Sequence, residues 1–522
     1  MVLTLSFSLS QLAACTALAY ALLGTAHAKD FYTTFVPDPI AVMPGYGRTV
    51  ALGADLVVVG TPTAVFHGEI QGAVDVYDRE STQHLSQLRA PFPSDGDSFG
   101  ISVALDGDLV LVGDHGHDGG SGAAYLFDGR SGAFLGELDP GGMATQGRFG
   151  ASVALSGGRA YVGSPDAAGG GAVHVFELAT GVDTRLDCPS GCHLFGEHLV
   201  VDGGSLIVGE PEQPGGGLSP GLAWVFDSQT LLQRFVFESP DPQDGEGFAT
   251  SLAVSNGVLA VGAPDRDEGV PRAGAVFLFD LASGAFVRKV TQQEPSQLAR
   301  FGRSVALNSR ILVVDRLQQF GMDGICIFDV VSGLELVQIP RPNDNFDTSF
   351  GEALAMDETA VLAGEWYYSA ATGRAHILPI LEIQGVQECG PAVVNSGGVP
   401  ATIRAVGTPQ ALPGCLTLLA ADLPPLTTGF FLNARSAGVS MPAGSSGRLC
   451  LGGEIGRYSD QLLISGGAGT FQLELDLANT PVPAGFQSVL PGETWRFQAW
   501  FRDLDPSGPT SNFTDTVAVT FE

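Results

Sequence analysis

Phe99-Gly100-Ile101-Ser102-Val103-Ala104-Leu105-Asp106-Gly107-Asp108-Leu109-Val110-Leu111-Val112-Gly113 is the stretch whose reading decides the fold. An aromatic–Gly pair opens it, an apolar run alternates, Asp106-Gly107-Asp108 turns the chain, and a second apolar run returns. Short alternating runs split by Asp and Gly read as antiparallel strands joined by a tight turn. Downstream come Ala123-Ala124-Tyr125-Leu126-Phe127-Asp128, the turn Gly129-Arg130-Ser131-Gly132, and Ala133-Phe134-Leu135-Gly136-Glu137-Leu138. The whole unit predicts a meander of four strands.

That unit recurs. Aromatic–small pairs stand at Tyr46-Gly47, Phe99-Gly100, Phe149-Gly150, Phe195-Gly196, Phe248-Ala249, Phe301-Gly302 and Phe350-Gly351, 46 to 53 residues apart. One short four-stranded sheet cannot bury both its faces. Sheets stacked radially bury one another, which predicts an all-β, seven-bladed β-propeller with four-stranded blades. The seventh repeat shows three strands and no turn leading to a fourth, while Phe31-Tyr32-Thr33-Thr34-Phe35 stands unassigned before the first repeat. Pairing that N-terminal strand onto the last blade closes the ring and hides an open edge. The expected organisation is an export signal over 1–28, the propeller over 29–382, and a C-terminal β-sandwich-like domain over 383–522.

The composition fits this reading. Gly 71 and Pro 32 make up about a fifth of the 522 residues, and 44% hydrophobic against 16% charged residues excludes a disordered chain. A net charge of −31 repels phosphate backbones, so nucleic-acid binding is not expected. Residues 1–28 lack Asp, Glu, Lys and Arg and end in Ala26-His27-Ala28, which reads as a cleaved secretory signal. Leu12-Ala13-Ala14-Cys15 resembles a lipoprotein box, but the apolar run continues beyond it. No later window is long and apolar enough to span a membrane, so the expectation is an exported bacterial protein, released or on the cell surface, and a monomer.

Once Cys15 is removed with the signal, six cysteines remain. Cys188-Pro189-Ser190-Gly191-Cys192 is close enough to close a small disulfide loop, and a lone C-x3-C is a poor zinc motif. Cys326 lies in an apolar run and reads as a buried hydrophobe. Among Cys389, Cys415 and Cys450 one pair and one free thiol is the simplest arrangement, and Cys389 with Cys450 is the favoured pair.

The repeats resemble FG-GAP repeats, the blades of the integrin α-subunit head and of many bacterial surface proteins. The likeness rests on Phe149-Gly150 with Val162-Gly163-Ser164-Pro165, and on Phe248-Ala249 with Val261-Gly262-Ala263-Pro264 and Gly274-Ala275-Val276-Phe277-Leu278-Phe279. The fifth repeat matches best and the sixth, with Val313-Val314-Asp315-Arg316, least. The family often carries a calcium loop between first and second strands. Here that connection is two or three residues, too short to supply six to eight oxygens, so no bound calcium is expected. From Cys389 onward the chain is similar to a C-terminal domain of secreted FG-GAP-type proteins from planctomycetes and myxobacteria, in Cys389-Gly390-Pro391-Ala392, Leu449–Arg457, Gly492–Asp503 and Ser511–Asp515. On its strand Trp495, Phe497, Ala499 and Phe501 share one face, which reads as core.

Two loops hold metal-ligand residue types. Asp114-His115-Gly116-His117-Asp118 is the densest, and Asp265-Arg266-Asp267-Glu268-Gly269 occupies the same loop of the fifth repeat. Each occurs once among seven repeats beside Gly or Arg, so solvated loops are expected, with no metal and no cofactor. No G-x-S-x-G elbow is present, and His67, His115, His174, His193 and His198 fall at different repeat positions. The expectation is a non-enzymatic protein that binds a protein or glycan partner. The alternative is a secreted hydrolase or lyase acting at the propeller's central channel. An acidic chain with only two lysines, Lys29 and Lys289, suits a saline setting. Its melting temperature is expected to rise with NaCl concentration in calorimetric scans, and a flat or falling curve would refute that.

Overall fold

The computed structural model describes residues 33–522 except 38–44, 141–146, 190, 212–220, 293–294, 318–323, 334, 342–347, 368–372, 381, 408, 410, 412–415, 466–468 and 506–507. The export signal over 1–28, Phe31, Tyr32 and Cys415 therefore lie outside the described residues. The chain forms two compact units, Tyr32–Leu378 and Pro379–Glu522.

The first unit contains seven four-stranded antiparallel sheets. Blade 2 shows the pattern, with strands Ser102–Asp106, Leu109–Asp114, Ala123–Asp128 and Phe134–Glu137 in sequence order across the sheet. Its first turn is Gly107-Asp108, since Asp106 pairs with Leu109. The two-residue turn recurs where Ser156 pairs with Arg159, Asp202 with Ser205 and Ser255 with Val258. The turn into the fourth strand is held by an Asp that accepts from a hydroxyl three residues on, as in Asp128–Ser131 at 2.6 Å and Asp78–Ser81 at 2.6 Å. In the seventh sheet Thr33–Phe35 pairs antiparallel with Arg374–Pro379 and takes the fourth place.

Core residues come from adjacent blades together. Val58, Val74 and Val76 of blade 1 pack with Val110, Val112 and Tyr125 of blade 2. Phe35, Leu362 and Ala375 of the seventh sheet pack with Val57, Val59 and Tyr77 of blade 1. Burying each such side chain contributes roughly 1.5–3 kcal/mol, which no blade collects alone. At this junction Tyr77, which shares a hydroxyl–hydroxyl bond of 2.8 Å with Tyr46, donates across it to Val36 O at 2.9 Å, and Arg79 pairs across it with Asp357.

A polar clasp joins blades 1, 2, 3 and 5 each to the blade that follows. Thr49, Ser102, Ser152 and Ser251, each near the start of a first strand, donate to the carbonyls of Gly100, Gly150, Gly196 and Gly302 of the following repeat, at 2.7–2.8 Å. That carbonyl sits where a Cβ of the second-strand glycine would lie. A Cβ on Gly163 would be 2.0 Å from Gly196 O, and one on Gly364 would be 2.0 Å from Gly47 O, which carries the arrangement from the seventh sheet to the first. In blade 5 Ala249 replaces the usual glycine and is held at φ 66.

Blade 6 breaks this rule. Asp315, paired with Ile325, stands at the clasp-glycine position; its Oδ1 accepts from Ser304 N at 2.8 Å and it is fully buried. The following strand, Thr348–Met356, shifts register between Phe350 and Leu354. The weak sixth match in the sequence is thus a local change of packing.

The second unit is a β-sandwich. A four-stranded sheet of Glu382–Gln384, Thr402–Gly407, Leu416–Ala421 and Phe471–Glu474 faces a larger sheet built on Thr428–Ala434, Thr494–Asp505 and Thr516–Thr520. Ile403, Leu418 and Leu473 from one sheet share a core with Phe431, Trp495, Phe497, Phe501 and Val519 from the other. The aromatic face read from the sequence is therefore core. On the opposite face Gln498 is buried and bonds Cys450 N at 2.8 Å and Thr514 O at 2.8 Å.

Gly163→Ala is expected to destabilise the chain by about 2–3 kcal/mol in urea unfolding, because a backbone carbonyl has little room to retreat. Ser152→Ala should cost about 1 kcal/mol, and Gly136→Ala, with open space around it, under about 0.5 kcal/mol. Equal effects at all three would refute the clasp. Burial, with Glu352 adding and Arg303 opposing, raises the Asp315 carboxyl to about 8. A carboxyl raised on folding favours the folded state where it is protonated, so its contribution is lost as pH climbs from about 4 to about 8. Asp315→Asn should flatten the fall in melting temperature between pH 5 and 8 and raise its value at pH 8; an unchanged profile would refute the assignment.

Candidate functional site

In blades 2, 3 and 4 the residue after the clasp glycine points a polar side chain into the connection that enters the same blade. In blade 3 Ser164 donates to Gly147 O at 2.8 Å. In blade 4 Glu210 accepts from His193 N at 2.8 Å with one oxygen and from Trp224 Nε1 at 2.8 Å with the other. Both side chains are satisfied tethers. Blade 2 places Asp114 there, fully buried, with Oδ1 accepting from Ser98 N at 2.7 Å and Oδ2 making no hydrogen bond. Burial first, then the nearby Asp97, raises the Asp114 carboxyl to about 6, against the opposing pull of Ser98, His117 and Gly116.

Two further groups converge on it. Asp97, buried in the entering connection, accepts from Ser94 N at 2.6 Å and faces His117 Nδ1 at 3.4 Å. His117 lies edge-on to Tyr125, with ring centroids 6.3 Å apart. One ligand atom from each of Asp97, Asp114 and His117 lies within 4.8 Å of the others.

The structure thus corrects the sequence reading of this loop in two ways. Asp114 is buried, not solvated, and only two of the four candidate residues of the loop, Asp114 and His117, come together. Asp118 is exposed at φ 49, and His115 does not join them. Burial first, then the Arg148 cation, lowers the His115 pKa. Asp97 escaped detection because it stands 17 residues before Asp114 in another connection; the carboxylates of Ser94-Asp95-Gly96-Asp97 were its only signal. Beside the cluster lies an open pocket of about 590 Å³ lined by Asp95, Asp97, His115, Gly116, Asp118 and Arg148 among others. Arg148 is anchored by Asp166 at 2.6 Å and by Glu197 of the next blade at 2.8 Å.

The fifth-repeat loop is also corrected. Arg266 is 1% exposed and holds Asp241, Glu246 and Glu268 around its guanidinium, while Lys289 joins Glu268 at 2.6 Å. Asp265 pairs with Arg300 at 3.1 Å, and Asp267 accepts from Arg272 N at 2.8 Å. This loop is closed by a buried cation of its own and is not a solvated turn. His174 is buried beside Asp183, Nδ1 to Oδ2 2.9 Å, and edge-on to Phe149. It fills a core position.

The structure joins Cys188 to Cys192 and Cys389 to Cys450, and leaves Cys326 buried as a free thiol. Among the described residues no helix is long and apolar enough to cross a membrane.

A family model described as FG-GAP repeat matches residues 85–127, from the outer strand of blade 1 through the third strand of blade 2, a span that holds Asp97, Asp114 and His117. The first unit is a β-propeller in which this segment is similar to an FG-GAP repeat. Among solved structures the chain is similar to the WD40 repeats of RRP9, at 14% identity and a TM-score of 0.49, covering 68% of this chain and 99% of that one. It is also similar to the β-propeller domain of Cps50 (Swd1) from Myceliophteria thermophila, at 14% identity and a TM-score of 0.45, covering 67% and 99%. No curated protein matches the sequence.

Proposed function

We propose that the chain is an exported, non-enzymatic binding protein that engages a protein or glycan through the loops flanking the blade 2 pocket. One observation carries this reading. The FG-GAP match falls on the blade whose loops border a pocket of about 590 Å³ with both acidic and cationic lining groups. A rigid ring presenting variable loops is a general recognition scaffold. The buried histidine His174 and the carboxylates Glu210 and Glu246 are tied to neighbouring groups in the fold, which supports binding over chemistry at those positions. The exported setting rests on the apolar leader ending in Ala26-His27-Ala28 and on the two disulfides, which form in oxidising compartments.

The full chain screened on arrays of glycans and bacterial surface proteins is expected to select a small set of ligands without turning them over. Asp118→Lys, at an exposed position on the pocket wall, should weaken those hits at least about tenfold, or about 1.4 kcal/mol. Ligands that bind Asp118→Lys as tightly as the parent would place the interface elsewhere, and hydrolysis of an array glycan would replace this reading with the enzyme.

A further inference from the structure

We propose that Asp97, Asp114 and His117 form a binding site for a divalent transition-metal ion of the Zn²⁺ type. Two carboxylates and an imidazole are a mixed N/O donor set, which suits such ions, whereas Ca²⁺ takes six to eight oxygens. The spacing fits. Two donors each about 2.1 Å from a tetrahedral ion stand about 3.4 Å apart, and His117 Nδ1 lies 3.4 Å from Asp97 Oδ2. The third donor is within 4.8 Å of both.

The strongest support is the difference from the equivalent position two blades on. Glu210 spends both oxygens on protein donors, so its burial is fully explained by tethering. Asp114 spends one, and Oδ2 is buried with no hydrogen bond beside a second buried carboxylate. Two carboxylates out of water with one imidazole between them are poorly balanced in charge, and a divalent ion supplies what is missing. The donors are held in place: Asp114 ends a strand, Asp97 is fixed by Ser94 N, and His117 rests against Tyr125. Asp97 and Gly116 form part of the pocket wall, which gives an ion a route from solvent. The site lies between second and third strands, away from the connection where FG-GAP relatives carry calcium, and it stands whether or not the pocket binds a protein or glycan.

The test is calorimetric titration of the chelator-stripped full chain with ZnCl₂, repeated with CaCl₂, alongside thermal shift. One tight Zn²⁺ site is expected, with a rise in melting temperature and no comparable Ca²⁺ site. Asp97→Asn and His117→Gln keep side chains able to hydrogen-bond and should each weaken Zn²⁺ by more than tenfold and abolish the thermal shift. His115→Gln and Asp118→Asn should leave both unchanged. Circular dichroism of the metal-free variants checks folding, and His117→Gln, the less buried position, decides alone if Asp97→Asn misfolds. No tight Zn²⁺ site, or Zn²⁺ binding that survives His117→Gln, as adventitious binding to the acidic surface would, overturns the proposal.

Discussion

The propeller depends on one close approach, in which the carbonyl of an aromatic–glycine pair enters the space beside a second-strand glycine of the preceding blade. At Gly163 that carbonyl is too near to leave room for any side chain, and Ser152 binds the same oxygen at 2.7 Å. The close approach needs a second-strand residue without a Cβ; in blades 1, 2, 3 and 5 a hydroxyl near the start of the first strand binds the entering carbonyl, and after blade 4 Ala249 supplies that carbonyl in place of a glycine. It explains why the aromatic–glycine pair and the later Val-Gly travel together in the sequence: they are the two halves of one contact between neighbours. Blade 6, with Asp315 at the glycine position, has lost one half. A carboxyl group is buried there with its ionised form disfavoured, and the next blade's strand changes register.

The residue beside each clasp is the variable element. In blades 2, 3 and 4 it points into the connection entering its blade, so a polar side chain there secures the loop and is buried in doing so. Ser164 and Glu210 serve that purpose and nothing is left over. Asp114 serves it with one oxygen only, in the blade where a second carboxylate and a histidine arrive from two different loops. Blade 2 has thus gathered three ligand-type groups at a position that blades 3 and 4 use for tethering alone. The disposition of Arg266, which closes the corresponding loop of blade 5 with its own charge, shows the alternative use of the same region.

The four-strand meander and the tight turns were legible in the chain because each rests on local chemistry: period-two alternation, Asp-Gly turns and a side-chain acceptor three residues before a hydroxyl. The pairing of Thr33–Phe35 with Arg374–Pro379 was legible as well, since a repeat lacking its last strand and a strand lacking a repeat can be matched by counting. The aromatic stripe from Trp495 to Phe501 announced its own burial in the same way.

The candidate site was half legible. Asp114 and His117 stood out as a dense run of ligand types, but so did His115 and Asp118, and spacing along a loop does not say which side chains turn inward. Asp97 was hidden because its neighbours in space are its distant successors in sequence. The sequence by itself determined the repeat, its strands and its turns, since those depend on residues within a few positions of one another. Which carboxylates lose their water, which find a cation and which are left with an unused oxygen was decided only by the tertiary structure, because burial and charge pairing are set by loops that meet across a blade and between blades.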